Sequence, residues 1–122
     1  MKTAELLTEA SLALREKVRD KLIIELDNMA LEYRRGIAEL SGNDIDDTPV
    51  PWAVVTSENH PMLYRYDCYI SIIRDSNISD TMWTECTDEI RDYVLEKFDN
   101  TVLPVKVSVK PRTLARLFII IE

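Results

Sequence analysis

Residues 63–74 read LYRYDCYISIIR, and the fold turns on how this stretch is read. Tyr64, Tyr66, Cys68, Ile70 and Ile72 alternate with Arg65, Asp67, Tyr69 and Ser71. Successive side chains of an extended chain point to opposite faces, so the alternation predicts one long strand over Leu63–Arg74. One face belongs to a core and the other to solvent or a partner. Upstream, WAVVT at residues 52–56 predicts a short strand, followed by a turn over Ser57–Met62 that contains Asn59-His60-Pro61. Downstream, Asp75-Ser76-Asn77 stops the long strand, and Ser79 or Asp80 caps a helix running to about Phe98. Its apolar stripe is Trp83, Cys86, Ile90, Val94 and Phe98. After Asp99-Asn100, the segment LPVKVSVK at 103–110 sets Leu103, Val105, Val107 and Val109 against Lys106, Ser108 and Lys110. A turn at Pro111-Arg112 leads into Leu114–Ile121, which is almost wholly apolar and belongs in the middle of a sheet or under cover on both faces.

The first forty residues read as one long helix. Leu7, Leu14, Val18, Leu22, Leu26, Met29, Tyr33, Ile37 and Leu40 recur at helical spacing. Thr3 is the expected N-cap. Arg34 and Arg35 lie toward the far end, where the helix dipole favours cations. Gly36 is expected to loosen the last turns, so that the regular helix ends near Arg35, and Gly42 supplies a left-handed cap. A straight helix from Thr3 to Arg35 runs roughly 50 Å. The core of so short a chain does not cover that length, so part of the helix meets another subunit or folds back at a kink. Residues 41–51 form an acidic loop closed by prolines. The expected fold is therefore α+β, in the order α-β-β-α-β-β: a long N-terminal helix, an antiparallel sheet of about four strands and a second helix packed on it. Residues 1–122 are read as a single domain, with the long helix at 1–40 and a β-β-α-β-β core at 52–122.

Composition supports this reading and excludes several functions. Of 122 residues, 46% are apolar and 30% charged, the balance of a folded globular chain rather than a disordered one. Only two glycines are present, so long elements and few loops are expected. The net charge of −7 argues against a general nucleic-acid binder, which needs clustered lysine and arginine. No signal peptide, membrane-spanning run or lipidation pattern is visible, which predicts a protein that is not secreted and not in a membrane. Cys68 and Cys86 are expected to be buried, reduced thiols.

Chemistry-bearing constellations are sparse. His60 is the only histidine, which leaves no histidine-based triad or two-histidine metal site within one chain, and its setting predicts an exposed loop residue. Asp44, Asp46 and Asp47 lack the glycine and the distal glutamate of a calcium loop. There is no glycine-rich phosphate loop. Tyr64, Tyr66 and Tyr69 are read as packing residues rather than a base-stacking platform. The expectation is a non-enzyme without catalytic residues, metal or cofactor.

Charge by segment is more informative than the total: −1 over residues 1–40, −4 over 41–62, zero over 63–79, −5 over 80–100 and +3 over 101–122. On the second helix Glu85, Glu89, Asp92, Glu96 and Asp99 form a stripe opposite the apolar one. On the final hairpin Lys106, Lys110, Arg112 and Arg116 form a basic group. Charge stripes on helices often serve only solvation. The alternatives are a head-to-tail contact, acidic helix of one subunit against basic hairpin of the next, or an acidic surface past which DNA slides. A head-to-tail contact closes rings.

The order of elements resembles that of the tail terminator proteins of long-tailed bacteriophages. The residues that carry the resemblance are the proline-led strand Pro51-Trp52-Ala53-Val54-Val55, the alternating stretch Leu63–Arg74, and the apolar close Leu117-Phe118-Ile119-Ile120-Ile121-Glu122. The first helix here is longer than is usual in that family, and the loop between the first two strands is often larger there. The resemblance implies a non-enzymatic ring, commonly a hexamer, that caps the tail tube at the head–tail junction. It also implies tail-tube and neck proteins as partners, a lumen through which DNA passes without specific binding, and a place in the virion after assembly in the host cytoplasm. A head-closure or connector protein of the neck, or a small acidic adaptor or inhibitor of a basic partner protein, are the other readings.

Overall fold

A computed structural model describes the backbone over residues 2–98 and 105–122, with side chains from residue 11 onward. The order of elements is α1 (Lys2–Ser41), β1 (Trp52–Val55), β2 (Tyr69–Arg74), α2 (Asp80–Lys97), β3 (Val107–Val109) and β4 (Arg116–Ile121). The four strands form one sheet in the order β1-β2-β4-β3, and every pairing is antiparallel. The fold is thus α+β, as the patterning predicts. β4 is central, and its apolarity follows from cover on both faces. Leu117, Ile119 and Ile121 join the cluster beneath the helices, while Phe118 and Ile120 pack with Leu63, Tyr66 and Tyr69 on the opposite face.

The helix side holds the main core. Leu22, Leu26 and Ala30 of α1 meet Trp83, Cys86, Ile90 and Val94 of α2 over Ile70 and Ile72 of the sheet and Cys68, which leads into it. The predicted stripe of α2 is buried throughout. Ser79 is the N-cap, its hydroxyl accepting from the Met82 amide at 3.1 Å. Asp99 and Leu103 lie outside the described residues.

Three expectations need correction. The long strand over Leu63–Arg74 is shorter, beginning at Tyr69. β1 has only four residues, and its ladder with β2 runs from Trp52↔Arg74 to Val55↔Ser71. Among the described residues, 63–66 therefore have no strand beside them, and their backbone bonds locally. Pro61 opens a single 3-10 turn over Pro61–Leu63, continued by a bond from the Tyr66 amide to the Leu63 carbonyl at 3.1 Å. The alternation consequently breaks: Cys68, Ile70 and Ile72 face the helices, but Tyr64 is 70% exposed and Tyr66 packs on the opposite face.

The second correction concerns the ends of α1. Thr3 lies inside the helix rather than capping it, and the helix runs through Gly36 without a break to Ser41. Arg34 and Arg35 therefore precede the last turn, which holds no basic residue. The stop is at Gly42, with φ at 67°. The Asn43 amide bonds the Ala38 carbonyl at 3.1 Å and the Gly42 amide bonds that of Glu39 at 3.4 Å, closing a Schellman cap. At the other end, contact with the core begins at Val18. None of the side chains from Ser11 to Lys17 is buried.

Third, Leu114 is not a strand residue but stands 78% exposed in the β3–β4 turn. There the Thr113 hydroxyl accepts from the Arg116 amide at 3.0 Å and holds the chain in a turn until β4 starts.

Candidate functional site: an acidic groove and a basic turn

The two helices lie side by side and antiparallel, because Glu25 of α1 meets Tyr93 and Lys97 of α2 while Tyr33 meets Glu89. The Tyr93 hydroxyl donates to Glu25 at 2.6 Å, and the Lys97 ammonium donates to the same carboxylate. Burial on its own raises the Glu25 pKa, but the bonds from Lys97 and Tyr93 and the charges of Lys97 and Lys21 hold it below the ordinary carboxylate value. The bond to Glu25 raises Lys97 in turn. The Tyr33 hydroxyl donates to Glu89. Burial and that bond push the Tyr33 phenol well above its usual value.

Beyond the Glu25–Lys97 contact, toward the C-terminal end of α1, the helices leave an open groove of about 620 Å³. Met29, Tyr33, Ile37 and Met82 line it with apolar surface, and Leu40 stands at its edge 88% exposed. Gly36 has no side chain to fill it, and a Cβ built there meets nothing within 4 Å. Glu32, Glu85 and Glu89 give the groove an acidic rim. Glu32 shares its charge with Arg35 at 3.7 Å, whereas Glu85 makes no ion pair among the described residues.

The sequence-selected acidic residues lie along α2, and Glu85, Glu89, Asp92 and Glu96 are all exposed. Asp92 pairs with Arg91 at 3.4 Å. Asp99 lies outside the described residues. The basic residues of the hairpin do not form one patch. Arg112 pairs with Asp88 of α2 at 2.6 Å. Arg116 turns to the opposite face of the sheet and bonds Glu58. Lys106 lies at the far end of the hairpin, where its backbone pairs with that of Glu122 at 2.7 and 2.8 Å. Lys110 sits over the Tyr66 ring, 5.8 Å from its centroid, and has no ion-pair partner among the described residues. The structure therefore commits Arg112 and Arg116 within their own chain, and among the described residues Lys106 and Lys110 have no ion-pair partner.

The face of the sheet away from the helices is closed by the segment between β1 and β2. Glu58 reaches across it, accepting from the buried Ser71 hydroxyl and from Arg116. Burial raises the Glu58 pKa, but those two hydrogen bonds and the Arg116 charge bring it below the ordinary value. His60 is half-buried rather than exposed. Its ring lies 5.0 Å from that of Phe118, and Nδ1 accepts from the Met62 amide at 3.2 Å. Nothing in the sequence marks Glu58 as a clamp, since the pairing depends on a fold-back of thirteen residues onto Ser71.

Both cysteines are buried and free. Burial, with the charges of Glu89 and Glu85, pushes the Cys86 thiol up to about 12, which suppresses thiolate chemistry. Burial also raises Cys68. Among the described residues no group of His, Cys, Asp and Glu is placed to hold a metal ion, and no helix is long and apolar enough to cross a membrane. The chain matches no family model, no curated protein and no solved structure.

Proposed function

We propose that the chain is a structural assembly subunit that forms a ring, of the tail terminator kind, at the head–tail junction of a long-tailed phage. In this role it caps the tail tube and leaves a lumen for DNA to pass without specific binding. The observation that carries the reading is the uncovered apolar groove between α1 and α2. Such a groove offers apolar surface whose burial against a partner is favourable. It lies on a helix of 40 residues whose described core contacts begin only at Val18. The order α-β-β-α-β-β supports the resemblance to tail terminators, and the polarised charge suits a subunit that joins head to tail with its neighbours.

The test is to incubate the purified chain with isolated phage tails that lack their terminator and to image them by negative-stain microscopy. Rings seated at the tail end are expected; tails that remain bare contradict the tail-terminator role. Glu85 and Glu96, which have no ion-pair partner among the described residues, favour one other reading, an acidic adaptor for a basic protein. That reading predicts a monomer or dimer whose binding weakens steeply with salt.

A further inference from the structure

We propose that the groove between α1 and α2 receives the Lys110–Ala115 turn of a second copy of this chain. Leu114 is the apolar anchor of the contact and Lys110 the cation that meets Glu85 and Glu89. The inference rests on the ring reading and names its contact.

Four observations carry it. First, the turn offers what the groove lacks. Leu114 is 78% exposed with no core to enter, and the groove presents Met29, Ile37, Leu40 and Met82 with open space above Gly36. Second, the charges are complementary, because Lys110 has no acidic partner in its own chain among the described residues and Glu85 has no basic one. Third, the turn is held from behind. The Trp83 indole donates to the Thr113 carbonyl at 2.9 Å and Arg74 donates to the Leu114 carbonyl at 2.9 Å. It is thus presented in one conformation, which lowers the cost of ordering it on contact.

Fourth, a turn does not reach the groove of its own chain. Met82, Glu85 and Glu89 lie on the side of α2 that faces α1. Thr87, Asp88 and Arg91 lie on its other side, with Thr87 and Arg91 beside Val109–Arg112 and Asp88 paired to Arg112. Two different patches on opposite sides of one helix make a heterologous contact, which propagates from copy to copy and closes where the rotation allows. One turn in one groove is smaller than a standard interface of about 1,600 Å². Each contact is therefore weak alone, and ring closure, which makes the last contact intramolecular, sustains the assembly.

The experiment reads assembly by light scattering for the wild type, Glu85→Lys, Lys110→Glu, Leu114→Ser, and an equimolar mixture of the two charge variants. Folding of each is checked by circular dichroism. Wild type is expected to assemble, and all three variants to lose the assembled species at the same concentration. The mixture is expected to regain it. In the mixture each wild-type groove meets a wild-type turn and each reversed groove meets a reversed turn. Assembly unaffected by any variant overturns the groove–turn contact and leaves the ring reading standing. Loss in the charge variants without recovery in the mixture overturns the pairing of Lys110 with this rim. Leu114→Ser gives an uncharged check should a charge variant fail to fold, and unaltered assembly there overturns the anchor. A wild type that stays monomeric removes the ring reading and this contact together.

Discussion

Arg116 and Glu58 show at the scale of single residues how the sheet's second face is held. The Glu58 carboxylate is largely buried, with 13% of its side chain exposed, and its acceptor capacity is met by Ser71 and Arg116. Removing one partner of such a group leaves the other desolvated and unpaired. Arg116→Met is therefore expected to cost about 1–3 kcal/mol, read from urea unfolding at pH 7. Because the folded-state pKa of Glu58 is depressed, its contribution is present above the unfolded value and is lost as pH falls through the folded one. Wild type should lose stability as pH drops below about 4.3, and Glu58→Gln should show a shallower loss over the same range. Equal slopes would show that this bond adds nothing to folding. On the other face, Ile70 is fully buried between sheet and helices. Ile70→Asp places an unpaired charge there and is expected to abolish cooperative folding in thermal or urea melts.

Among the elements, α1 makes the sharpest predictions because the glycine inside it and the glycine that ends it have opposite roles. Gly42 adopts φ of 67° to close the Schellman cap, so Gly42→Ala is expected to destabilise by about 1–2 kcal/mol. Gly36 is an interior helical position with open space where a Cβ would go. Gly36→Ala is expected to stabilise the monomer by about 0.5–1 kcal/mol, measured the same way. The elements were also where the sequence was most legible. The stripe of α2, its Ser79 cap, the short β1 and the apolar β4 could all be read from local pattern, because each has burial that follows its own period. The stretch at 63–68 misled because its alternation is real but its register is decided elsewhere. With β1 ending at Val55 and β4 at Ile121, residues 63–66 have no ladder partner among the described residues, and Pro61 starts a turn instead. Leu114 misled for a similar reason: it continues an apolar run, but Thr113 fixes a turn there.

At the scale of the whole molecule, charge is divided between faces, and only half of that division was legible. The acidic stripe on α2 stands where helical spacing places it. Local spacing groups the basic residues of the hairpin into one patch, but Arg112 and Arg116 pair with Asp88 and Glu58 of the same chain. Whether a lysine or arginine is free depends on which residues fold back beside it, and local spacing does not carry that. The groove was hidden in the same way. Met29, Tyr33, Ile37 and Leu40 continue the apolar stripe of α1; Met29 and Tyr33 pack against the core as well as lining the groove, and how much of the stripe is left open depends on where α2 and the sheet run out. If the acidic face drives assembly, replacing Glu89, Asp92 and Glu96 together by Lys should remove the assembled species while circular dichroism stays unchanged. Assembly that persists would return the stripe to solvation alone.

The central claim, that this chain builds a ring from copies of itself, is tested most directly by its mass in solution. Light scattering of the purified wild type at high concentration, with negative-stain images of the same sample, should give a multiple of the monomer mass and closed annular particles. A single monomeric species across the whole concentration range, with no annular particles, would contradict it.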